Sequence, residues 1–304
     1  MTGNDAAVAL IGLGEVGRVF AEDLAALGVR DIRAWDTAFA DPASRASRHA
    51  AALGIAPAAS AAEAVRGATL VVSAVTAMNC VAAASSVVGG IEPDAWFFDL
   101  NSSSPGHKRA AAAAVDGAGG RYVEAALMSP IEPRRLGAPF ILGGPHAEAF
   151  GAAAGAFGLV AATVGAAEVG VAAATKLCRS VVVKGMESLL TESLLAARHY
   201  GVEGEVLRSL SNILPEADWE AIAGYFMSRS LEHGVRRAEE MQEAAGTVAD
   251  AGVTPWMAEA TVARQRWAAQ FGEVLPQEST LALVDAVRAA AGPRAGSRRQ
   301  EEHA

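Results

Sequence analysis

The chain has 304 residues, of which 52% are hydrophobic and 19% are charged, and its net charge is −9 at pH 7. This length suits two domains with a substantial core. The acidic balance argues against nucleic acid as a partner, since proteins that bind it carry a basic excess. Two cysteines, Cys80 and Cys178, are too few for a disulfide framework or a cysteine-based zinc site, which favours reduced thiols and the cytoplasm.

Neither a signal segment nor a membrane span is expected. The N-terminus lacks a basic segment followed by an apolar core, and the first strand-like run begins almost at once. The apolar stretches are rich in alanine and interrupted by polar residues. We therefore expect a cytoplasmic protein that binds neither membranes nor nucleic acids.

The first element is an apolar run that leads into a glycine-rich turn. Residues 8–11 have the composition of a buried strand, and Gly12, Gly14 and Gly17 follow in a Gly-x-Gly-x-x-Gly pattern. Asp36 stands nineteen positions after Gly17, at the end of a second strand-like run. A strand, these glycines, a helix and an acid at this spacing predict a dinucleotide-binding turn.

Each part of this motif has a physical role. Gly12 permits the tight turn, Gly14 lets the backbone approach a pyrophosphate, and Gly17 lets the helix pack on the strand. The helix that begins at Glu15 points its positive dipole end and its unpaired N–H groups at the phosphates. Asp36 accepts hydrogen bonds from the ribose hydroxyls and repels a 2′-phosphate, which favours NAD. NADP stays possible because three arginines lie close in sequence: Arg33, Arg45 and Arg48.

Strand and helix patterns alternate through the first half of the chain. Strand-like runs recur at residues 69–75, 95–100, 122–127, 139–142 and 160–164, with helical stretches between the earlier ones. This rhythm predicts a mostly parallel sheet covered by helices on both faces. The predicted cofactor contacts all lie in this half: Gly12, Leu13, Gly14, Glu15, Val16, Gly17, Asp36, Val75, Thr76 and Asn101.

From Glu168 onward the pattern is helical. One run without proline reaches about Arg198, and further helices are expected near residues 205–213, 218–251, 254–271 and 279–291. We expect a Rossmann doubly wound α/β domain over residues 1–165 and an all-helical domain over 166–291, joined by the long helix, with a disordered tail over 292–304. The cleft between the two domains is the default site.

Lys176 lies in the long helix among small and apolar residues. Ser180 and Lys184 follow it at four-residue intervals and Arg179 lies beside them, so these polar side chains share one face. Because an unpaired ammonium is costly to bury, this face either meets a cavity, an anion or water, or forms a narrow solvent-exposed stripe. When hydride leaves an alcohol, a base must take the hydroxyl proton, and a lysine with a lowered pKa can do so. We predict that Lys176 is catalytic and that Arg179 and Ser180 contact the substrate.

A polar turn, residues 99–105 (Asp-Leu-Asn-Ser-Ser-Ser-Pro), follows the strand-like run at 95–100. It lies on the carboxyl-end side of the strand, where open α/β sheets bind ligands. Capping of the next helix explains one of its polar residues but not four. We therefore predict that Asn101, Ser102 and Ser103 contact a substrate carboxylate or hydroxyl.

Together these motifs resemble those of the β-hydroxyacid dehydrogenases, the superfamily of 3-hydroxyisobutyrate and 6-phosphogluconate dehydrogenases. The resemblance rests on the glycine turn, on residues 99–105 where the family has Asp-x-Ser-Thr-x-x-Pro, and on Gly170 and Lys176 in a Gly-x-x-x-x-x-Lys setting. It implies oxidation of a hydroxyl β to a carboxylate with NAD or NADP, and a homodimer formed through the helical domain.

Two stretches depart from the family pattern. Ser180 stands where the family usually has an asparagine, and residues 128–135 (Met-Ser-Pro-Ile-Glu-Pro-Arg-Arg) replace a Ser-Gly-Gly substrate loop. The substrate is therefore not expected to be 3-hydroxyisobutyrate, and the helical half resembles an uncharacterised phosphogluconate-dehydrogenase-like branch. Arg134 or Arg135 either anchors an anionic substrate group or is a solvated loop charge. The remaining predicted substrate contacts are Met128, Ser129 and Pro130.

The sequence thus predicts an oxidoreductase that moves a hydride between a nicotinamide cofactor and a small anionic or polar β-hydroxy acid or related alcohol. Two alternatives stay open. Imine reductases share the fold but generally carry aspartate or tyrosine at the position of Lys176. A nucleotide-sensing protein without catalysis would need neither that lysine nor the polar turn. The six histidines show no metal-ligand spacing, so no metal is predicted.

Overall fold

The computed structural model describes residues 6–213 and 215–292. The predicted tail therefore lies outside the described residues, apart from Gly292. The strands are β1 (Ala7–Ile11), β2 (Asp31–Trp35), β3 (Leu70–Ser73), β4 (Trp96–Asp99), β5 (Arg121–Leu127), β6 (Phe140–Gly143) and β7 (Ala162–Ala166). The helices of the first half are α1 (Glu15–Ala26), α2 (Arg45–Leu53), α3 (Ala61–Val65), α4 (Cys80–Val87), α5 (Pro105–Gly117) and α6 (Ala147–Ala154).

These strands form one seven-stranded sheet in the order β2-β1-β3-β4-β5-β6-β7. Neighbours from β2 to β5 are parallel, whereas β6 runs antiparallel to β5 and pairs in parallel with β7. The strand order reverses between β1 and β3. The carboxyl ends of these two strands therefore flank the switch point at which doubly wound sheets bind ligands.

Alternate residues of the central strands enter two separate cores. Leu10 of β1 and Phe98 of β4 pack with side chains of α1, α2 and α6 on one face. Ile11 and Phe97, their chain neighbours, pack with α3, α4 and α5 on the other face. This alternation is what a sheet covered on both sides requires, and it confirms the predicted Rossmann-like α/β arrangement.

The second half is helical, as predicted. Its helices are α7 (Val171–Tyr200), α8 (Glu203–Leu210), α9 (Trp219–Asp250), α10 (Trp256–Ala268) and α11 (Thr280–Ala291). Leu194 of α7, Met227 of α9 and Val284 of α11 belong to one buried cluster. Within the described residues, no helix combines the length and the apolar character that crossing a bilayer requires.

The chain divides into two compact units. One contains the residues up to Arg179 together with Gly246–Val253, and the other contains Ser180–Ala245 and the residues from Thr254 onward. The division falls inside α7. The domain boundary at residues 165/166 therefore stays an interpretation of the sequence.

Candidate functional site

The three glycines of the first turn have distinct surroundings. Gly12 has φ = 95°, in the left-handed region that favours glycine, and a Cβ atom on it would overlap the Ala74 carbonyl. A Cβ atom on Gly17 would overlap the Gly12 carbonyl oxygen, so α1 packs on the turn only because this side chain is absent. A Cβ atom on Gly14 would have no neighbour within 4 Å. The backbone at Gly14 therefore borders open space.

The start of α1 is suited to an anionic ligand. Gly14 is the N-cap residue, and among the described residues no side chain caps the first turn of this helix. The N–H groups of that turn consequently retain their hydrogen-bonding capacity, next to the open space at Gly14. Uncapped amides beside an uncrowded backbone fit the pyrophosphate of a dinucleotide.

Asp36 is held beside this turn at the end of β2. Its Oδ2 atom accepts a hydrogen bond from the Leu13 amide at 2.8 Å, and its Oδ1 atom accepts one from the Ala38 amide at 2.8 Å. Each carboxylate oxygen retains a further acceptor position. Arg33 pairs with Asp31 at 2.5 Å, and Arg48 donates to the Ala43 carbonyl. Asp36 is thus fixed beside the glycine turn, and its contact with a ribose stays a prediction.

Asn101 links the turn after β4 to the end of β3. Its Oδ1 atom accepts from the Val75 amide at 2.7 Å, and its Nδ2 atom donates to Ser73 Oγ at 2.9 Å. Thr76 is exposed and its hydroxyl accepts from Asn79 Nδ2 at 2.9 Å. The Asn101 side chain is buried, so its observed contacts support the turn. Its predicted contacts with cofactor and substrate remain predictions.

The serines of this turn point to different partners. The buried Ser103 hydroxyl donates to the Ala77 carbonyl at 2.5 Å. Ser104 caps α5 by accepting from the His107 amide at 3.4 Å. Ser102 Oγ accepts a hydrogen bond from Lys176 Nζ at 2.6 Å. Of the three predicted substrate contacts in the turn, Ser102 is therefore the side chain that the fold brings to the predicted catalytic lysine.

The position of Lys176 follows from how α7 begins. The buried Glu124 carboxylate on β5 accepts hydrogen bonds from the amides of Gly170 and Ala173, both at 2.6 Å. Gly170 has φ = 103°, and a Cβ atom on it would lie 2.9 Å from Pro105 Cβ at the start of α5. The first turn of α7 is thus anchored to β5 and packed against α5.

A buried polar cluster lies beneath the turn, and the sequence analysis did not identify it. Asp99 Oδ1 is 2.9 Å from Lys108 Nζ and accepts from the Asn101 amide at 2.9 Å. Asp99 Oδ2 accepts from the Tyr122 hydroxyl at 2.6 Å and from Cys80 Sγ at 3.3 Å. All these side chains are buried, and the Asp99 carboxylate is therefore surrounded by donors.

Burial and charge shift the pKa values in this cluster. Burial, assisted by the charge of Asp99, raises the pKa of Cys80 to about 12 and raises the pKa of Tyr122 as well. Burial alone would lower the pKa of Lys108, but the nearby negative charges, with Asp99 first among them, raise it overall. The cluster therefore contains a charged lysine beside neutral phenol and thiol donors.

A signal for this cluster was present in the sequence. Lys108 shares the buried face of α5 with Ala111, Ala112 and Val115, at the spacing of a helix stripe. Glu124 stands within the apolar run of β5. A charged residue at a core position is rare unless it is paired, and this criterion would have identified both.

Ser180 and Lys184 lie in the second unit. Lys184 Nζ donates to Ser180 Oγ at 3.2 Å and pairs with Glu240 Oε2 on α9 at 2.8 Å. Lys184 is therefore part of a buried ion pair. Arg179, the last residue of the first unit before α7 passes into the second, is exposed.

The loop after β5 is fastened to α1. Arg135 pairs with Glu22 and Asp23, both at 2.7 Å, and with Glu132 at 3.1 Å. These contacts favour a structural role for Arg135, whereas Arg134 is exposed. The predicted substrate contacts at Met128, Ser129 and Pro130 begin this loop at the carboxyl end of β5, which is the edge where β4 also ends.

Comparisons of the sequence with protein families give two matches. The NAD binding domain of 6-phosphogluconate dehydrogenase matches residues 7–170, which is more than half of the chain. A domain of unknown function matches residues 197–268. No curated protein matches the chain.

Solved structures extend the likeness over most of the chain. A conserved hypothetical protein from Sinorhizobium meliloti is 31% identical with a TM-score of 0.70, covering 94% of this chain and 96% of its own. The 3-hydroxyisobutyrate dehydrogenase of Mycobacterium tuberculosis is 19% identical with a TM-score of 0.70, covering 93% and 99%. A reductive aminase from Aspergillus terreus, in complex with NADPH and ethyl levulinate, is 19% identical with a TM-score of 0.52, covering 93% and 99%. At these two lower identities the likeness shows the fold alone.

Proposed function

Since the chain belongs to the β-hydroxyacid dehydrogenase superfamily, we propose that it oxidises the CH–OH group of a β-hydroxy acid or a related small polar alcohol, with Lys176 as general acid and base. Membership makes it an NAD(P)-dependent oxidoreductase of the hydroxyacid dehydrogenase type.

The contact between Lys176 Nζ and Ser102 Oγ at 2.6 Å carries this proposal. It joins the lysine to a polar turn at the carboxyl edge of the sheet, the edge at which the glycine turn after β1 also lies. A proton-transfer group and a hydroxyl are thereby held together on the side of the sheet that binds the cofactor in doubly wound folds.

The proton chemistry follows from this pair. A bound nicotinamide cofactor supplies the hydride acceptor, or the hydride donor in the reverse direction. Lys176 takes the substrate hydroxyl proton as a neutral amine and returns it as an ammonium. When Lys176 donates to Ser102 Oγ, the Ser102 hydroxyl proton is available for a substrate oxygen. We assign Ser129 and Arg179 to the remaining polar part of the substrate.

NAD is the proposed cofactor. The fixed Asp36 carboxylate has room to accept hydrogen bonds from two ribose hydroxyls, and its charge opposes a 2′-phosphate. Arg33, the basic side chain on the same strand, is already paired with Asp31. Both features favour NAD over NADP.

We also propose a homodimer formed through the helical unit, acting in the cytoplasm. Large apolar side chains are exposed on its helices, among them Val182, Leu189, Val235 and Trp256. A second copy of the chain would cover such side chains. Neither Cys80 nor Cys178 is in a disulfide, which suits a reducing compartment.

A substrate screen tests the proposed function. Purified protein is incubated at alkaline pH with NAD or NADP and with hydroxy acids, phosphonates or amino alcohols, and the absorbance of reduced nicotinamide is followed. We expect turnover with a β-hydroxy acid or a related alcohol and NAD. Reductive amination of ketones without alcohol oxidation would favour an imine reductase instead. Cofactor binding without turnover in either panel would favour a nucleotide sensor.

A further inference from the structure

Two buried carboxylates stand side by side in the sheet. Asp99 of β4 and Glu124 of β5 are register partners, and neither side chain is exposed. Two buried negative charges repel each other and lose their hydration, so a cation close by stabilises such a pair. Lys108, one of only three lysines in the chain, is a buried cation paired with Asp99 at 2.9 Å.

Each carboxylate holds one half of the proposed site. Asp99 accepts from the Asn101 amide at 2.9 Å, next to Ser102 in the turn. Glu124 accepts from the Gly170 and Ala173 amides at the start of α7. Lys176 follows Ala173 by less than one helical turn.

We propose that Lys108 is a positioning residue whose buried ammonium, paired with Asp99 next to Glu124, supports both carboxylates as hydrogen-bond acceptors, so that the turn and α7 hold Lys176 against Ser102. The importance of Lys108 for catalysis rests on the proposed function, whereas its effect on the position of Lys176 does not depend on that function. Lys108 lies behind the site: its Nζ atom contacts the side chain and the carbonyl of Asp99 at 2.9 and 3.1 Å.

Loss of the Lys108 charge would also affect Glu124, the register partner of Asp99. Burial already raises the pKa of Glu124, and the charge of Lys108 opposes that rise. The other groups that face this carboxylate are Asp99 on β4, the two α7 amides, and the uncharged Gly143 on β6. A protonated Glu124 would present one hydroxyl in place of an acceptor, and one α7 amide would lose its partner.

Competitive acetylation of the amines measures the position of Lys176 directly. The protein without cofactor or substrate is treated with a trace of labelled acetic anhydride, and mass spectrometry gives the extent of labelling of each lysine. Lys184, held by its own partners in the second unit, is the internal reference. The measured quantity is the ratio of Lys176 to Lys184 labelling.

In Lys108→Met we expect this ratio to rise about fivefold, as the loss of one ordinary hydrogen bond would allow. The double variant Asp99→Asn/Lys108→Met removes both opposite charges and should return the ratio to within about twofold of the wild type. If Lys108 served only to fill space, the labelling ratio in the double variant would stay as high as in Lys108→Met. That result would overturn the proposal.

Glu124→Gln alters the carboxylate that caps α7 and leaves Lys108 in place. It therefore tests the proposal even if Lys108→Met does not fold. It should raise the ratio as Lys108→Met does and speed hydrogen exchange at one of the two amides that Glu124 caps, Gly170 or Ala173. A wild-type ratio in Glu124→Gln, or in a folded Lys108→Met, would reject the proposal. These measurements need no turnover. A negative labelling result would therefore leave the proposed dehydrogenase function intact, and an unsuccessful substrate screen would not affect the labelling result.

Discussion

Lys176 Nζ donates a hydrogen bond to Ser102 Oγ at 2.6 Å, although the two residues are 74 positions apart in the chain. Separate contacts fix the two sides of this pair. Asn101 and Ser103 fasten the turn to β3 and to the segment after it, and Glu124 fastens the start of α7. The pair therefore results from the fold of the first unit as a whole.

Lys176→Ala should lower kcat by roughly 10²- to 10⁴-fold, the range for the loss of a general acid or base. Binding of NADH, measured by its fluorescence, should stay within about twofold of the wild type because the glycine turn is untouched. Thr175→Ala is the matched control, since Thr175 is the exposed neighbour on α7 and should keep full turnover. Near-normal turnover in Lys176→Ala would remove the lysine from the mechanism.

Substitutions at two glycines of the turn should have different effects, one on cofactor binding and the other on stability. Gly14→Ala places a methyl group in open space at φ = −73°, which alanine adopts readily. It should weaken NADH binding by about tenfold or more and cost no more than about 1 kcal/mol of unfolding free energy as a poorer N-cap. Gly17→Ala would press on the Gly12 carbonyl and should cost about 1–3 kcal/mol in urea unfolding. Equal effects of the two variants on both measurements would contradict these roles.

Asp36→Ala should shift cofactor preference. The loss of a charged acceptor for the ribose hydroxyls should raise the Kd for NADH about 10- to 100-fold. NADPH binding should change less because the repulsion of its 2′-phosphate is relieved. The ratio of the two Kd values is the measure, since the freed Leu13 and Ala38 amides affect both cofactors alike. Glu148→Ala, which removes an exposed carboxylate on α6, should leave the ratio unchanged, and a wild-type preference for NADPH would refute the role of Asp36.

The order of elements could be predicted from the sequence because it depends on local patterns. The apolar run before Gly12 and the proline-free stretch from Glu168 to Arg198 were assigned correctly as β1 and most of α7. The arrangement of β5, β6 and β7 was not predicted, and β6 proved antiparallel to β5. Strand direction depends on how the loop at 128–138 turns, and that loop is fixed by distant ion pairs between Arg135 and α1.

The candidate site could be predicted only as far as residue type and spacing allow. The glycines, Asp36, Ser102 and Lys176 were proposed because they stand in motifs of characteristic spacing, and their roles stay predictions. Lys108 and Glu124 were not identified because their partners lie on other elements: Lys108 pairs with Asp99 of β4, and Glu124 caps a helix 46 residues away. A side-chain cap supplied from another element leaves no signature near the helix that it caps.

The two thiols should differ in reactivity. The pKa of Cys80 is raised to about 12, so on the order of one molecule in 10⁴ carries the reactive thiolate at pH 8. Because the shift is upward, its reactivity would rise only as the pH approaches that value. Cys178 is exposed. Ellman's reagent should count one thiol in the native protein at pH 8 and two in urea, and Cys178→Ser should reduce the native count to none. Rapid native labelling of Cys80 would contradict its place in the buried cluster.

Val182→Asp should convert the proposed dimer into a monomer. Val182 and Leu189 lie seven residues apart on one face of α7 and are 62% and 58% exposed. A charge buried in an apolar dimer contact without a partner costs more than such a contact contributes per side chain. Val160→Asp is the control, because Val160 is 78% exposed on the first unit and should leave the mass unchanged. Light scattering after size exclusion gives the mass. A dimer that persists in both Val182→Asp and Leu189→Asp would place the subunit contact elsewhere.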